Sequence, residues 1–90
     1  MKHINISVTG KVQGVFFRKN TVEKALSLNI TGIVKNLSDG SVYIEAEGFE
    51  EDLEEFLQWC HQGPERAEVT SVKSWKAQME DYETFEIAYI

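Results

Sequence analysis

Between Val8 and Val22 the hydrophobic period of the chain changes. Ile4, Ile6 and Val8 alternate as in a half-buried strand, whereas Val22, Ala25 and Leu26 recur at helical spacing. The joint between them is Gly10-Lys11-Val12-Gln13-Gly14-Val15-Phe16-Phe17-Arg18. A strand, a glycine-bearing loop and a helix in succession gather backbone N–H groups and the positive end of a helix dipole around one concavity, which suits a phosphate-sized anion. Arg18 and Lys19 stand near the start of that helix, where cations are disfavoured by about 0.3–1 kcal/mol. A local violation of this kind points to a functional site. The stretch alone leaves a second reading open, a turn that needs glycine for its backbone angles and carries two solvated cations.

The first strand is expected over residues 3–12 and the first helix up to residue 28, beginning as late as Thr21 if Asn20 and Glu23 form a capping box. A β-branched run follows over residues 30–37, then Asp39-Gly40, then the alternation of Val42, Ile44 and Ala46, which together predict a hairpin. Phe49, Leu53, Phe56, Leu57 and Cys60 fall on one face of a second helix, with Glu50, Glu51, Asp52, Glu54 and Glu55 on its first turn and outer face. Gly63 and Pro64 should end it. Val69, Val72, Trp75 and Ala77 belong to a fourth strand whose spacing between 69 and 72 predicts a bulge or a late strand start, and Phe85, Ile87 and Tyr89 to a short fifth.

The order βαββαβ with a short fifth strand predicts a ferredoxin-like α+β fold, an antiparallel sheet with two helices on one face. In that topology the first two strands run the same way with the third between them. Their C-terminal ends then share one edge, which brings Asn36 beside the loop of residues 13–18.

Charge follows the same division. Residues 1–40 carry six basic side chains against two acidic, and residues 41–90 three against thirteen, so positive potential concentrates on the half that holds the glycine loop. A small anion suits that half; a long polyanion such as nucleic acid would meet repulsion elsewhere. At 90 residues the chain is expected to form one domain, residues 1–90. A single cysteine, Cys60, and an N-terminus without an apolar signal segment predict a reducing cytoplasm, and no apolar run predicts a membrane span.

Two segments resemble the acylphosphatase family: residues 10–18 as quoted above, and Gly32-Ile33-Val34-Lys35-Asn36 followed by Asp39-Gly40, Val42 and Gly48. Gly63-Pro64 with Ala67, Val69 and Val72 is a weaker third echo. Two positions depart from the usual pattern, Ile33 where the family commonly has an aromatic residue and Leu37 where animal members often have threonine. The resemblance implies hydrolysis of the carboxyl-phosphate bond of small acyl phosphates by a monomer, with no metal, no cofactor and no covalent intermediate. It implies that Gln13, Gly14, Val15, Phe16, Phe17 and Arg18 bind the phosphate and that Arg18 and Asn36 are catalytic, Asn36 holding the attacking water. The chemistry of the side chains fits: guanidinium is a fork of donors matched to phosphate oxygens, and one amide carries both a donor and an acceptor with which to orient water.

Other constellations compete less well. Cys60 and Arg66 have the spacing of a cysteine-dependent phosphatase loop, but a helix precedes them, Pro64 removes an N–H and Glu65 adds a repelling charge. RNA binding on an open sheet face calls for aromatic-rich strands, and Tyr43 is the one aromatic residue of the third strand. A regulatory domain that binds a small anion without hydrolysing it would need Arg18 but not Asn36. Trp59 and Trp75 are expected to pack, and His3 and His61 are assigned no catalytic role.

Overall fold

The computed structural model describes residues 1–89. Its elements are β1 (Lys2–Lys11), α1 (Phe17–Ser27), β2 (Thr31–Asn36), β3 (Val42–Gly48), α2 (Glu50–Gln62), β4 (Glu68–Ala77) and β5 (Phe85–Ile87), and the strands form one sheet in the order β4-β1-β3-β2-β5. The expected α+β topology is present: β3 lies between β1 and β2 and is antiparallel to both, so Lys11 and Asn36 end their strands on the same edge.

Ile6, Val8, Val34, Val42, Ile44 and Ala46 project to one face of the sheet and meet Phe17 and Ala25 of α1 and Leu53, Phe56 and Cys60 of α2 in a fully buried core. Phe85 of β5 closes it with an edge-on contact to Phe56. Of the two readings of the 69–72 spacing, the bulge is the one found, since Thr9 pairs Ser71 and Gly10 pairs Val69, leaving Thr70 extra. The strand can pass there because Gly10 has no side chain; a Cβ would run into the Glu68 carbonyl.

Three local expectations need correction. The capping box is absent: α1 begins at Phe17, and Asn20 lies a turn inside it, its Nδ2 donating to the Phe16 carbonyl at 2.8 Å. Phe49 is not on the buried face of α2 but at its N-cap, 65% exposed. The sheet is mixed rather than antiparallel, because β5 pairs parallel to β2, Gly32 opposite Phe85 and Val34 opposite Ile87.

The parallel strand has a simple cause. β4 and β5 occupy opposite edges, so the segment of residues 78–84 must cross four strand spacings, about 19 Å, with an extended reach of about 26 Å. It crosses the face away from the helices at the end where β4 stops and β2 starts, and so enters β5 running in the direction of β2. Glu47, on that face of β3, pins the strap by accepting the backbone N–H groups of Glu80 at 2.6 Å and Tyr82 at 3.0 Å. Its other partner is His3, directly opposite on β1, whose Nδ1 lies 2.7 Å from Glu47 Oε2 while Nε2 lies 2.6 Å from Asn5 Oδ1. Both ring nitrogens therefore face oxygens, an arrangement served best by a doubly protonated ring.

Candidate active site

The loop between β1 and α1 and the end of β2 enclose a cavity of about 260 Å³, lined by Val12, Gln13, Gly14, Phe16, Phe17, Arg18, Lys19, Asn36 and Ile87. All the expected site residues but one meet there. Val15 is the exception: its side chain is buried and faces the next cleft, towards Pro64.

The loop's shape follows from two left-handed residues. Gly14 has φ 75° and Phe16 φ 63°, so the chain turns sharply into α1 and the amides of the turn and of the first helical turn fall around the cavity. Among the described residues no backbone hydrogen bond takes up the N–H groups of residues 13–19. These are orphan donors of the kind that helix N-termini leave for anions. The first turn of α1 contains no acidic residue. Arg18 and Lys19 stand there instead, and the Arg18 guanidinium lies over the Tyr89 ring, 5.6 Å from its centroid.

Asn36 reaches the loop through Gln13. The Gln13 side chain donates Nε2–H to the carbonyls of Leu37 at 2.8 Å and Ser41 at 2.9 Å, which ties the loop to the β2–β3 turn. That turn is itself held by Asp39, which accepts from the Ser41 N–H and hydroxyl, bonds that keep its carboxyl below the usual carboxylate range. With the turn fixed, Asn36 lines the cavity, and its amide oxygen is the one buried side-chain polar atom among the described residues that has no hydrogen-bond partner. A buried acceptor without a partner costs about 1–3 kcal/mol unless something fills it.

Of the lysines in and beside the two segments, Lys19 lines the cavity, Lys11 is exposed outside it, and Lys35 lies on the opposite face with its ammonium over the Tyr43 ring. Among the described residues the lining contains no carboxylate, histidine or cysteine. Cys60 is fully buried in the core, and burial pushes its thiol up to about 12, as expected of a structural cysteine rather than a nucleophile. Trp59 packs against Phe17 and Phe56, while Trp75 is nearly half exposed beside Tyr43. Two features of the site had no readable signal in the sequence. Ile87 enters the lining through the parallel register of a three-residue strand, and the Gln13 side chain is engaged in holding the hairpin.

The profile of the acylphosphatase family matches residues 4–87. An acylphosphatase of Archaeoglobus fulgidus is 50% identical over 86 residues, covering 96% of this chain and 97% of its own length. Among solved structures, the acylphosphatase of Bacillus subtilis superposes with a TM-score of 0.96 at 36% identity, over 99% of this chain and all of its own. That of Coxiella burnetii gives 0.94 at 40% identity, over 97% and 92%. No helix of the described residues is long and apolar enough to cross a membrane.

Proposed function

The chain belongs to the acylphosphatase family, whose members are hydrolases acting on acyl phosphates, and from that premise we propose how its own residues perform the reaction. The N–H groups of Gln13, Gly14, Val15, Phe16, Phe17 and Arg18, with the Arg18 guanidinium, hold the oxygens of the phosphoryl group. Asn36 holds water through its side-chain amide, and a single cavity lined by Asn36 and by a loop whose N–H donors are unclaimed is the observation that carries the reading.

The water oxygen forms a bond to phosphorus as the bond from phosphorus to the acyl oxygen breaks. Its electron pair leaves with the carboxylate, and a proton from the water passes to the phosphate of the substrate itself. Acyl phosphates have a good leaving group and a loose transition state, so positioning and charge stabilisation suffice without a protein base. The reading requires neither a metal nor a covalent intermediate. We further read residues 1–90 as one domain that acts as a monomer in the cytoplasm, with small acyl phosphates and inorganic phosphate as its ligands. All five strands lying in a single sheet supports the first of these points.

Arg18→Gln tests the phosphate cradle. Loss of one strong donor to the developing charge should lower kcat/KM for benzoyl phosphate by about a hundredfold or more and weaken inhibition by inorganic phosphate with it. Phosphate inhibition that stays at the wild-type level in this variant contradicts the assignment.

A further inference from the structure

The three apolar side chains of the loop are treated unequally. Val15 and Phe17 are buried, but Phe16 is 66% exposed. Its backbone is also left-handed, at φ 63° and ψ 23°, a conformation that an aromatic residue rarely adopts and that glycine takes freely. Asn20 holds it there, since both its N–H and its Nδ2 donate to the Phe16 carbonyl, at 3.1 and 2.8 Å. The position thus bears backbone strain and an exposed ring, with no burial in return. A side chain that breaks two local rules at the lip of a binding cavity is one to be explained by what it touches when the cavity is occupied.

The ring has a defined outlook. Phe16 lines the anion cavity and also the adjoining cleft of about 300 Å³ formed with Val15, Asn20, Pro64, Glu65 and Arg66. Asn36 lines the same cavity with its amide oxygen buried, whereas the Phe16 ring is exposed. Attacking and leaving oxygens lie roughly in line across phosphorus, so water held at Asn36 sends the acyl group outward, to the mouth where Phe16 stands. We propose that Phe16 is the specificity-determining residue for the acyl half of the substrate: its ring is the wall on which an apolar, and best an aromatic, acyl group packs, with the Pro64 side of the cleft receiving the far end. The inference rests on the acylphosphatase reading above and names the substrate class that this loop selects. Of the other apolar residues of the lining, Val12 and Phe17 are buried, and Ile87 opens towards a groove with Lys19, Val22 and Tyr89 on the far side of α1. It is the competing wall.

The test is the ratio of kcat/KM for benzoyl phosphate to that for acetyl phosphate, in wild type, Phe16→Gly, Phe16→Asn, Phe16→Tyr and Ile87→Ala. Glycine and asparagine both accept the left-handed backbone, so either removes the ring without forcing the loop to another path. The ratio should fall about tenfold in both and be kept by Phe16→Tyr, which retains the aromatic face. A ratio unmoved by loss of the ring, or lowered as far by Ile87→Ala, overturns the inference while leaving the acylphosphatase reading intact. A wild-type chain that hydrolyses neither substrate strikes down that reading, and the inference with it.

Discussion

At the end of the sheet where β1 begins and β3 stops, His3 and Glu47 are 3% and 1% exposed, and every side-chain oxygen and nitrogen they carry has a partner on β1, β3 or the strap. At the opposite end, where β1 and β2 stop, Asn36 buries an oxygen without a partner and the loop between β1 and α1 leaves its amides unclaimed. Buried polar groups are normally satisfied, so the two ends are doing different things with the same chemistry. Partners supplied by the fold make the first end structural, holding the strap and through it β5. Partners withheld by the fold make the second end a receptor.

Substitutions at the two ends should therefore separate activity from stability. The largest effect on rate is the loss in Arg18→Gln, which should come without a matching fall in Tm, because the guanidinium of a half-exposed residue contributes little to the core. Glu47→Gln should do the reverse. It leaves a buried imidazolium without its counter-charge, and removing one member of such a pair costs about 3–5 kcal/mol, readable as a shift in urea midpoint. The kcat of the folded variant should stay near wild type. A Glu47→Gln variant as stable as wild type would break the comparison.

The same pair gives stability a pH profile. Burial alone would raise the Glu47 carboxyl, but the Glu80 N–H, His3 and the Tyr82 N–H hold it below 4.5. For His3, burial lowers the ring and the hydrogen bonds to Glu47 and Asn5, with the charges of Glu47 and Glu45, raise it above 6.5. A lowered carboxyl contributes stability that is present above 4.5 and lost as pH falls through its folded value; a raised imidazole contributes stability that is present below 6.5 and lost as pH rises through its own. The pair therefore contributes fully between those limits. Urea midpoints measured across pH should fall on both sides of that window in wild type, and both slopes should flatten in the double variant His3→Gln with Glu47→Gln. The smallest effect belongs to Cys60→Ala, which should cost about 1 kcal/mol of packing and leave hydrolysis of benzoyl phosphate unchanged.

The receptor end was the more legible of the two in the sequence. Its parts are local: a change of hydrophobic period, two glycines, a misplaced pair of cations, and Asn36 just ahead of the Asp39-Gly40 turn. The fold's order of elements and the bulge near residue 70 were legible for the same reason, since alternation and turn chemistry act over a few residues. The pinned end is non-local. His3 and Glu47 are 44 positions apart, and on an alternating strand a polar residue on the face away from the core reads as solvent-facing. The strap that covers them is itself irregular, so neither their burial nor the parallel register of β5 had a pattern to announce it. Ile87 entered the site unseen by the same route. Phe49 shows the limit of helical spacing, which placed it on the apolar face although it lies just before the first turn.

The most direct test of the receptor reading is Asn36→Ala, in which the unpartnered oxygen is removed and the phosphate cradle is left in place. Hydrolysis of benzoyl phosphate and its inhibition by inorganic phosphate should be measured together. The account predicts kcat lowered by about a hundredfold, with the phosphate inhibition constant within about twofold of wild type. A kcat that holds at the wild-type value, or an inhibition constant that weakens in step with it, would contradict the claim that this end of the sheet keeps Asn36 for the attacking water.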